Sequence, residues 1–332
     1  MGSRLGHIGV YLPEKTLSNL ELSENFPEWS AERIGEKIGI SMRHLAAENE
    51  TALDLAVKAA EAILTDELKN RIDFILLCTQ SPDYFLPTTA CLLQERLNLR
   101  TNIGALDFNL GCSGFVYGLA LSKGLITAGI AECILLVMSE TYSKHIHRND
   151  KSNRSIFGDA AAATIVERST IEKIGEFVLG TDGSGKDDLI VLNGGMRNRI
   201  LESEHKLNNP GGDEMFPNCL YMNGPEVFNF TIKNVPTLFS ETLVRNNTSL
   251  DAIDFVIFHQ ANKFMLDYLK KKIKIPDDKF IIDMEETGNT VSATIPVALD
   301  SALKKGVIKV GNKVLLAGFG VGYSWGAVII EI

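Results

Sequence analysis

The apolar and polar positions along this chain form two patterns, one typical of buried strands and one typical of helices. Residues 72–78 are apolar except for Asp73, as expected of a strand covered on both faces. Residues 53–64 and 113–128 instead place apolar side chains at helical spacing. The same reasoning predicts helices at 87–97, near Pro225, at 262–273 and at 290–305, and strands at 160–165, 253–258, 279–283, 313–318 and 323–331. Strands that alternate with helices favour an α/β fold with mostly parallel inner strands.

One unit of this pattern occurs twice along the chain, at a nearly constant separation. The paired segments are 72–77 with 253–258, Asp107 with Asp283, Gly111-Cys112-Ser113 with Gly288-Asn289-Thr290, and 134–137 with 314–317. A duplicated fold places Cys112 and Asn289 at corresponding helix starts. We therefore predict two halves, 1–168 and 169–332, that share one core. Residues 182–224 show little periodicity, and we expect an extended loop region there that covers the site.

Composition and charge narrow the function classes. The chain has 332 residues, 45% of them hydrophobic, and a net charge of −9, which argues against general nucleic-acid binding. No apolar run reaches the roughly 18 residues that a membrane span requires. The N-terminal residues lack the apolar stretch of a signal peptide, and the five cysteines show no CxxC spacing. These features predict a cytosolic protein without a membrane span.

Cys112 is the strongest candidate nucleophile. Glycines at 111 and 114 predict a sharp turn from a strand into a helix, which would expose the side chain at the helix N-terminus. Such a position is expected to lower the pKa of the thiol below its free value of about 8.5. The alternative is a small buried residue at a crowded turn.

His259 and Asn289 are candidate partners of Cys112. His259 follows a predicted strand and Asn289 precedes a predicted helix, so each could also be a simple polar cap. The repeat favours a catalytic role, because it brings strand ends and helix starts from both halves together. The glycine-rich segment 318–326 can present backbone N–H groups to an oxyanion. His145 and His147 have no further candidate ligands near them, and we predict no metal site.

Several motifs, in order along almost the whole chain, resemble the thiolase-fold condensing enzymes of the β-ketoacyl-[acyl-carrier-protein] synthase III family. They are Gly9-Val10-Tyr11-Leu12-Pro13-Glu14, Gly39-Ile40 with Arg43-His44, residues 111–115, Phe157-Gly158-Asp159-Ala160-Ala161, His259-Gln260-Ala261-Asn262, Gly288-Asn289-Thr290 and Trp325-Gly326. The resemblance implies a thiolase fold of two pseudo-symmetric βαβαβαββ halves in a five-layer αβαβα core. It also implies a homodimer.

The resemblance also implies a reaction and the residues for it. Cys112 would take an acyl group from acyl-coenzyme A, with the backbone N–H groups of Cys112 and Val321 as the oxyanion hole. His259 and Asn289 would donate hydrogen bonds to a malonyl thioester, which loses carbon dioxide and attacks the acyl group. Phe319 would lie near the malonyl end of the pocket. No cofactor is implied beyond the coenzyme A thioester itself.

Other positions of the family pattern are altered in this chain. The usual Trp and Arg that contact the nucleotide of coenzyme A are replaced by Arg33 and Lys37, with Trp29 displaced. The remaining expected substrate contacts are Lys151 and Arg154 before residues 157–159, Asn262, Lys263 and Phe264 after His259, and Leu86, which would line the acyl pocket of the partner subunit. These departures suggest a different acyl group, donor or acceptor.

Two questions stay open at this level. Lys263, Lys270, Lys271, Lys272 and Lys274 could form a basic patch for an acidic acyl carrier protein, or simply a solvated helix end. The main alternative to decarboxylative condensation is acyl transfer from Cys112 to an oxygen or nitrogen acceptor, and loss of carbon dioxide from a malonyl thioester distinguishes the two. A non-enzymatic scaffold role is disfavoured by the intact Cys112, His259 and Asn289. A degradative thiolase is disfavoured because the C-terminal glycine-rich segment has no second cysteine.

Overall fold

The computed structural model describes residues 2–199, 207–208 and 214–332. The strands of the first half are β1 (Gly2–Tyr11), β2 (Thr16–Ser18), β3 (Met42–His44), β4 (Phe74–Cys78), β5 (Gly104–Phe108), β6 (Cys133–Glu140) and β7 (Ala160–Ser169). Its helices are α1 (Asn19–Asn25), α2 (Ala31–Ile38), α3 (Ala52–Glu61), α4 (Asp66–Arg71), α5 (Thr89–Arg96), α6 (Gly114–Thr127) and α7 (Lys151–Ile156).

The second half repeats this alternation. Its strands are β8 (Val178–Thr181), β9 (Leu189–Val191), β10 (Leu207–Asn208), β11 (Glu214–Met215), β12 (Leu220–Met222), β13 (Phe255–Phe258), β14 (Phe280–Ile281), β15 (Lys313–Gly320) and β16 (Ser324–Glu331). Its helices are α8 (Gly224–Arg245), α9 (Lys263–Ile273) and α10 (Thr294–Lys304). Short 3-10 helices lie at Tyr142–His145, Gly183–Gly185, Leu250–Ala252, Asp277–Lys279 and Val291–Ala293.

Two five-stranded sheets with the same topology form the core. Their strand orders are β1-β7-β6-β4-β5 and β8-β16-β15-β13-β14. In the first sheet β4 is parallel to β5 and β6, while β7 is antiparallel to β6 and β1. In the second sheet β13 is parallel to β14 and β15, while β16 is antiparallel to β15 and β8. The duplicated architecture predicted from the sequence is therefore confirmed.

Helices fill the three spaces beside and between the sheets. Helices α6 and α10 contact strands of both sheets and form the middle layer, around apolar residues such as Phe115, Leu119, Ile295 and Leu299. Helices α3 and α5 cover the outer face of the first sheet. Helices α8 and α9 cover the outer face of the second. The result is the predicted five-layer αβαβα order. The boundary between the two halves at residues 168 and 169 stays a prediction.

Helix α5 begins two residues later than the sequence pattern indicates. The pattern placed Pro87 in the first turn, but α5 starts at Thr89. The reason is a carboxylate from the neighbouring strand. Asp107 accepts hydrogen bonds from the backbone N–H groups of Thr89 and Ala90, at 2.6 Å each, and so satisfies two donors that a helix start leaves free.

The helix predicted over 290–305 is divided in two. A 3-10 turn at Val291–Ala293 precedes α10, which begins at Thr294. Val291 has a positive φ of 56°, which a continuous right-handed helix excludes.

The loop predicted over 182–224 contains short strands. Antiparallel β9 and β12 place Leu189 and Leu220 in one apolar cluster with Cys112, so this part of the segment covers the site as expected. Residues 200–206 and 209–213 of that prediction lie outside the described part of the chain.

Candidate active site

Cys112 lies in the turn between β5 and α6, and its surroundings require glycine. It is buried, with 6% of its surface exposed. A Cβ atom on Gly320 of β15 would come within 2.8 Å of Cys112 Sγ, and one on Gly318 within 2.6 Å of its carbonyl oxygen. Such distances are too short for real Cβ atoms, so the glycines of β15 allow the second half to pack directly against the sulfur.

Burial dominates the protonation of Cys112. It raises the pKa of the thiol to about 12, and the nearby carboxyl group of Glu140 adds to the rise. Hydrogen bonds from the backbone N–H groups of Val321 and of Cys112 itself oppose the shift. The pKa lowering expected from the helix N-terminus is therefore not found, because the cost of placing a thiolate in this dry site is larger. That these two N–H groups form the oxyanion hole stays a prediction.

His259 follows β13 and is neutral near pH 7. It is 2% exposed, and burial lowers its pKa to about 3. The Thr294 hydroxyl lies 2.7 Å from Nδ1 of His259 and 3.0 Å from the carbonyl oxygen of Val291, so its single proton goes to one of these acceptors at a time. Donation to Nδ1 leaves the ring proton on Nε2, the nitrogen that faces Asn289.

Asn289 precedes the 3-10 turn before α10, and its amide is held in one orientation. Its Oδ1 accepts the backbone N–H of Val291 at 2.9 Å, which leaves Nδ2 facing His259. Nδ2 lies 3.5 Å from His259 Nε2 and 3.4 Å from the carbonyl oxygen of Ala261. Nδ2 of Asn289 and Nε2 of His259 thus face the same space, as expected from the repeat; their role as donors stays a prediction.

The predicted catalytic residues come together around one cavity of about 50 Å³. Its lining includes Cys112, His259, Asn289, Asn262 and Phe319. The Phe319 ring meets His259 edge to face, with ring centroids 5.9 Å apart. Asn262 caps α9, since its side chain accepts the backbone N–H of Met265 at 2.9 Å. Residues far apart in sequence thus converge on the sulfur.

A cationic and aromatic surface contains the residues predicted for the nucleotide of coenzyme A. The ammonium groups of Lys37 and Lys151 lie 5.8 and 5.4 Å from the ring centroid of Trp29. The guanidinium of Arg154 lies 5.7 Å from the ring of Phe26. Arg33 lies on α2 as an exposed side chain. Counting along the sequence placed Trp29 away from the position of the family's tryptophan. In the structure Trp29 lies at the centre of this surface.

Lys263 and Phe264 line a separate surface cavity of about 760 Å³. Phe264 is 61% exposed, and its ring packs against Phe228 at a centroid distance of 5.5 Å. Two lysines of the predicted basic patch are paired with acids: Lys263 with Asp267 at 2.6 Å and Lys270 with Asp277 at 2.7 Å. The patch is therefore less basic than its sequence indicates. Lys272 donates to the carbonyl oxygen of Ile232 at 2.7 Å.

Leu86 lies apart from the Cys112 cavity within the chain. It is 86% exposed and follows Tyr84 and Phe85, which are 61% and 79% exposed. Within the described ranges, no group of three or more His, Cys, Asp or Glu side chains is placed to hold a metal ion. No helix of the described structure is both long and apolar enough to cross a membrane.

Comparisons with known proteins agree with this geometry. Residues 106–183 match the family model for 3-oxoacyl-[acyl-carrier-protein (ACP)] synthase III, and residues 243–332 match the model for the C-terminal part of that enzyme. The β-ketoacyl-[acyl-carrier-protein] synthase III of Clostridium perfringens is 37% identical over 98% of this chain and 97% of its own length.

Solved structures are similar over the full chain. A crystal structure of a 3-oxoacyl-(acyl-carrier-protein) synthase III, 45% identical, superposes with a TM-score of 0.95 and covers 100% of both chains. The 3-oxoacyl-(acyl-carrier protein) synthase of Burkholderia xenovorans is 36% identical, with a TM-score of 0.92 over 100% of this chain and 94% of that one.

The raised pKa of Cys112 predicts how its reactivity depends on pH. With a pKa of about 12, the rate of alkylation by iodoacetamide should rise about tenfold per pH unit from about pH 6 to 10, without a plateau. Peptide mass spectrometry distinguishes Cys112 from the exposed Cys91, which serves as an internal reference for the reagent. A plateau near or below about pH 8.5 would contradict the dominance of burial and would show that the helix N-terminus stabilises the thiolate.

Proposed function

Because the chain belongs to the 3-oxoacyl-[acyl-carrier-protein] synthase III family, we propose that Cys112, His259 and Asn289 carry out its decarboxylative condensation. The enzyme is an acyltransferase that condenses an acyl group with a malonyl thioester to give a β-ketoacyl product. The observation that supports these residue roles most strongly is their convergence on one small cavity. The predicted cytosolic location stays a prediction.

In the first step Cys112 is acylated. Its sulfur attacks the carbonyl carbon of acyl-coenzyme A, the carbon–sulfur bond to coenzyme A breaks, and the thiol proton passes to the departing sulfur. Negative charge develops on the carbonyl oxygen during the attack. The N–H groups of Cys112 and Val321, which favour negative charge on the sulfur, are proposed to stabilise that charge. These donors offset part of the cost that burial imposes on the thiolate.

In the second step the malonyl thioester carbonyl accepts hydrogen bonds from His259 Nε2 and Asn289 Nδ2. The bond to the malonyl carboxylate breaks, carbon dioxide leaves, and the electron pair forms an enolate on that carbonyl. The enolate carbon attacks the acyl carbonyl, and the Cys112 sulfur leaves as a thiolate and takes up a proton from solvent. A neutral His259 with its proton on Nε2 suits this role, which requires the Thr294 hydroxyl to donate to Nδ1.

Two substitutions separate these steps. Cys112→Ala should abolish acylation because the nucleophile is missing, as intact-protein mass after incubation with acyl-coenzyme A will show. Asn289→Ala should load at the wild-type rate but lose about a hundredfold or more in condensation, since a donor to the developing oxyanion is removed. Loading is the folding control for Asn289→Ala, and the circular dichroism spectrum is the folding control for Cys112→Ala. Normal condensation by Asn289→Ala would overturn the role assigned to it.

We also propose that Trp29 and Lys151 bind the nucleotide end of coenzyme A. A flat adenine ring can stack on an indole, and cations at its edge suit the phosphates. Lys37, Arg154 and Arg33 supply further positive charge on the same side. Glu28 lies 2.9 Å from Lys151 and partly neutralises its charge. A phosphate of bound coenzyme A would replace Glu28 as the partner of Lys151.

Trp29→Ala should raise KM for acyl-coenzyme A about tenfold, because stacking on a base contributes about 1–3 kcal/mol. The matched control is an acyl-pantetheine substrate, which lacks the nucleotide and should show the same kinetics with both proteins. Steady-state loading rates measure both. An equal loss with the two substrates would contradict nucleotide binding at this surface.

The surface around Lys263 and Phe264 is the proposed contact for the carrier protein. Its cavity lies beside α2 and α9 and is lined by Lys37, Lys271 and Tyr268 as well. Exposed aromatic rings next to cations suit a partner that presents both acidic and apolar side chains. We expect this contact to depend less on charge than a contact through a purely basic patch, because Lys263 and Lys270 already form ion pairs within the chain.

The proposed assembly is a homodimer in which Leu86 of one subunit enters the acyl pocket of the other. Two features support it. Strand β5 is the edge of its sheet and exposes Leu106, which is 46% accessible. The apolar side chains of the loop 84–86 are exposed as well. Pairing of β5 with its copy would satisfy the open edge.

Leu106→Lys should convert the dimer to monomers, since like charges would face each other across the two-fold axis. Sedimentation velocity over a concentration series measures this. Val310→Lys is the matched control, because Val310 is also an exposed apolar residue, at 87%, but lies away from β5. A wild-type monomer, or an unchanged dimer of Leu106→Lys, would contradict the proposed interface.

A further inference from the structure

Val291 holds the side chain of Asn289 by a hydrogen bond, although sequence analysis did not single it out. Its N–H donates to Oδ1 of Asn289 at 2.9 Å. Its carbonyl oxygen lies 3.0 Å from the Thr294 hydroxyl, which in turn lies 2.7 Å from Nδ1 of His259. The N–H of Val291 therefore orients the Asn289 amide, while its carbonyl oxygen competes with His259 Nδ1 for the Thr294 proton.

The segment that contains Val291 has an unfavourable backbone conformation. Val291 has a φ of 56°, in the left-handed region that β-branched residues rarely adopt. It is 1% exposed, so the surrounding packing must hold it in place. A residue in such a conformation persists only when its neighbours supply compensating contacts.

The neighbouring residue Ser292 supplies such a contact, through a buried carboxyl group. Its hydroxyl donates to Oε1 of Glu140 at 2.8 Å. The other oxygen, Oε2, accepts the backbone N–H of Gln80 at 3.0 Å and the Ser81 hydroxyl at 3.1 Å. Glu140 is fully buried at the end of β6, so the 3-10 turn is tied to a rigid strand of the first half.

Glu140 has no other evident purpose in the proposed reaction. Its burial is costly: it raises the pKa of this carboxyl group to about 8, and the charge of Glu140 also opposes ionisation of Cys112. The hydrogen bond between Glu140 and the turn that carries Asn289 is a function that offsets this disadvantage.

We propose that the Ser292–Glu140 hydrogen bond is a positioning contact that holds Val291 left-handed, and so aims Asn289 at the malonyl thioester carbonyl. The inference rests on the proposed function. It assigns Ser292 to the second step, because the N–H groups of Cys112 and Val321 proposed for the first step lie outside this turn.

The test uses Ser292→Ala in the full-length enzyme. The rate of Cys112 acylation, measured by intact-protein mass, should stay within about twofold of the wild-type rate. The kcat for condensation with malonyl-carrier should fall about tenfold, equivalent to about 1.4 kcal/mol, with KM nearly unchanged. Ser122→Ala is the matched control: Ser122 is equally buried and donates to the Gly118 carbonyl oxygen at 2.8 Å within α6. It should change neither step.

A second variant distinguishes positioning from general destabilisation. Glycine adopts positive φ without a Cβ penalty, so Val291→Gly makes the turn less dependent on its support. Ser292→Ala should therefore cost much less, about threefold or below, in the Val291→Gly background than in wild type.

Two results would overturn the inference. One is a parallel loss of acylation and condensation in Ser292→Ala, and the other is an equal cost of Ser292→Ala in both backgrounds. Absence of condensation by the wild-type enzyme would instead refute the proposed function, so the two failures are distinguishable.

Discussion

The packing of α6 and α10 between the two sheets is the interaction on which the rest of the structure depends. Both helices bury apolar side chains against strands of both halves, which forces their starts to one place. Cys112 precedes α6, and Asn289 precedes α10. The glycines of β15 then allow the second half to approach to within van der Waals contact of the sulfur. The site therefore forms because the core forms, and loosening this layer would separate the reacting groups.

The same close packing sets the electrostatics of the site. Excluding water raises the pKa of Cys112 and lowers that of His259, so both side chains are neutral at rest. In this dry surrounding a fixed N–H donor stabilises a developing negative charge more than it would in water. Under the proposed mechanism, such donors favour charge where the reaction creates it, on the two thioester carbonyl oxygens. Burial likewise raises the pKa of Glu140 to about 8, although this carboxyl group accepts three hydrogen bonds.

The sequence predicted the parts of the fold that depend on repeated patterns. The strands β4, β13, β6 and β15 and the helices between them follow from buried apolar runs that occur twice. The start of α5 could not be predicted, because Asp107 caps it from another strand. The cluster around Trp29 depends on cations from α2 and α7, whose convergence is a tertiary property. The left-handed Val291 has no sequence signal, since valine disfavours that conformation.

The most direct test of decarboxylative condensation at this shared site is a single-turnover experiment. Enzyme acylated on Cys112 and freed of excess acyl-coenzyme A is mixed with malonyl-carrier labelled in its free carboxylate. Loss of the acyl mass from Cys112 and release of labelled carbon dioxide are followed together. We expect both to proceed at one rate and in equal amounts, with formation of a β-ketoacyl-carrier. Deacylation without labelled carbon dioxide, or release of the label without deacylation, would contradict the account.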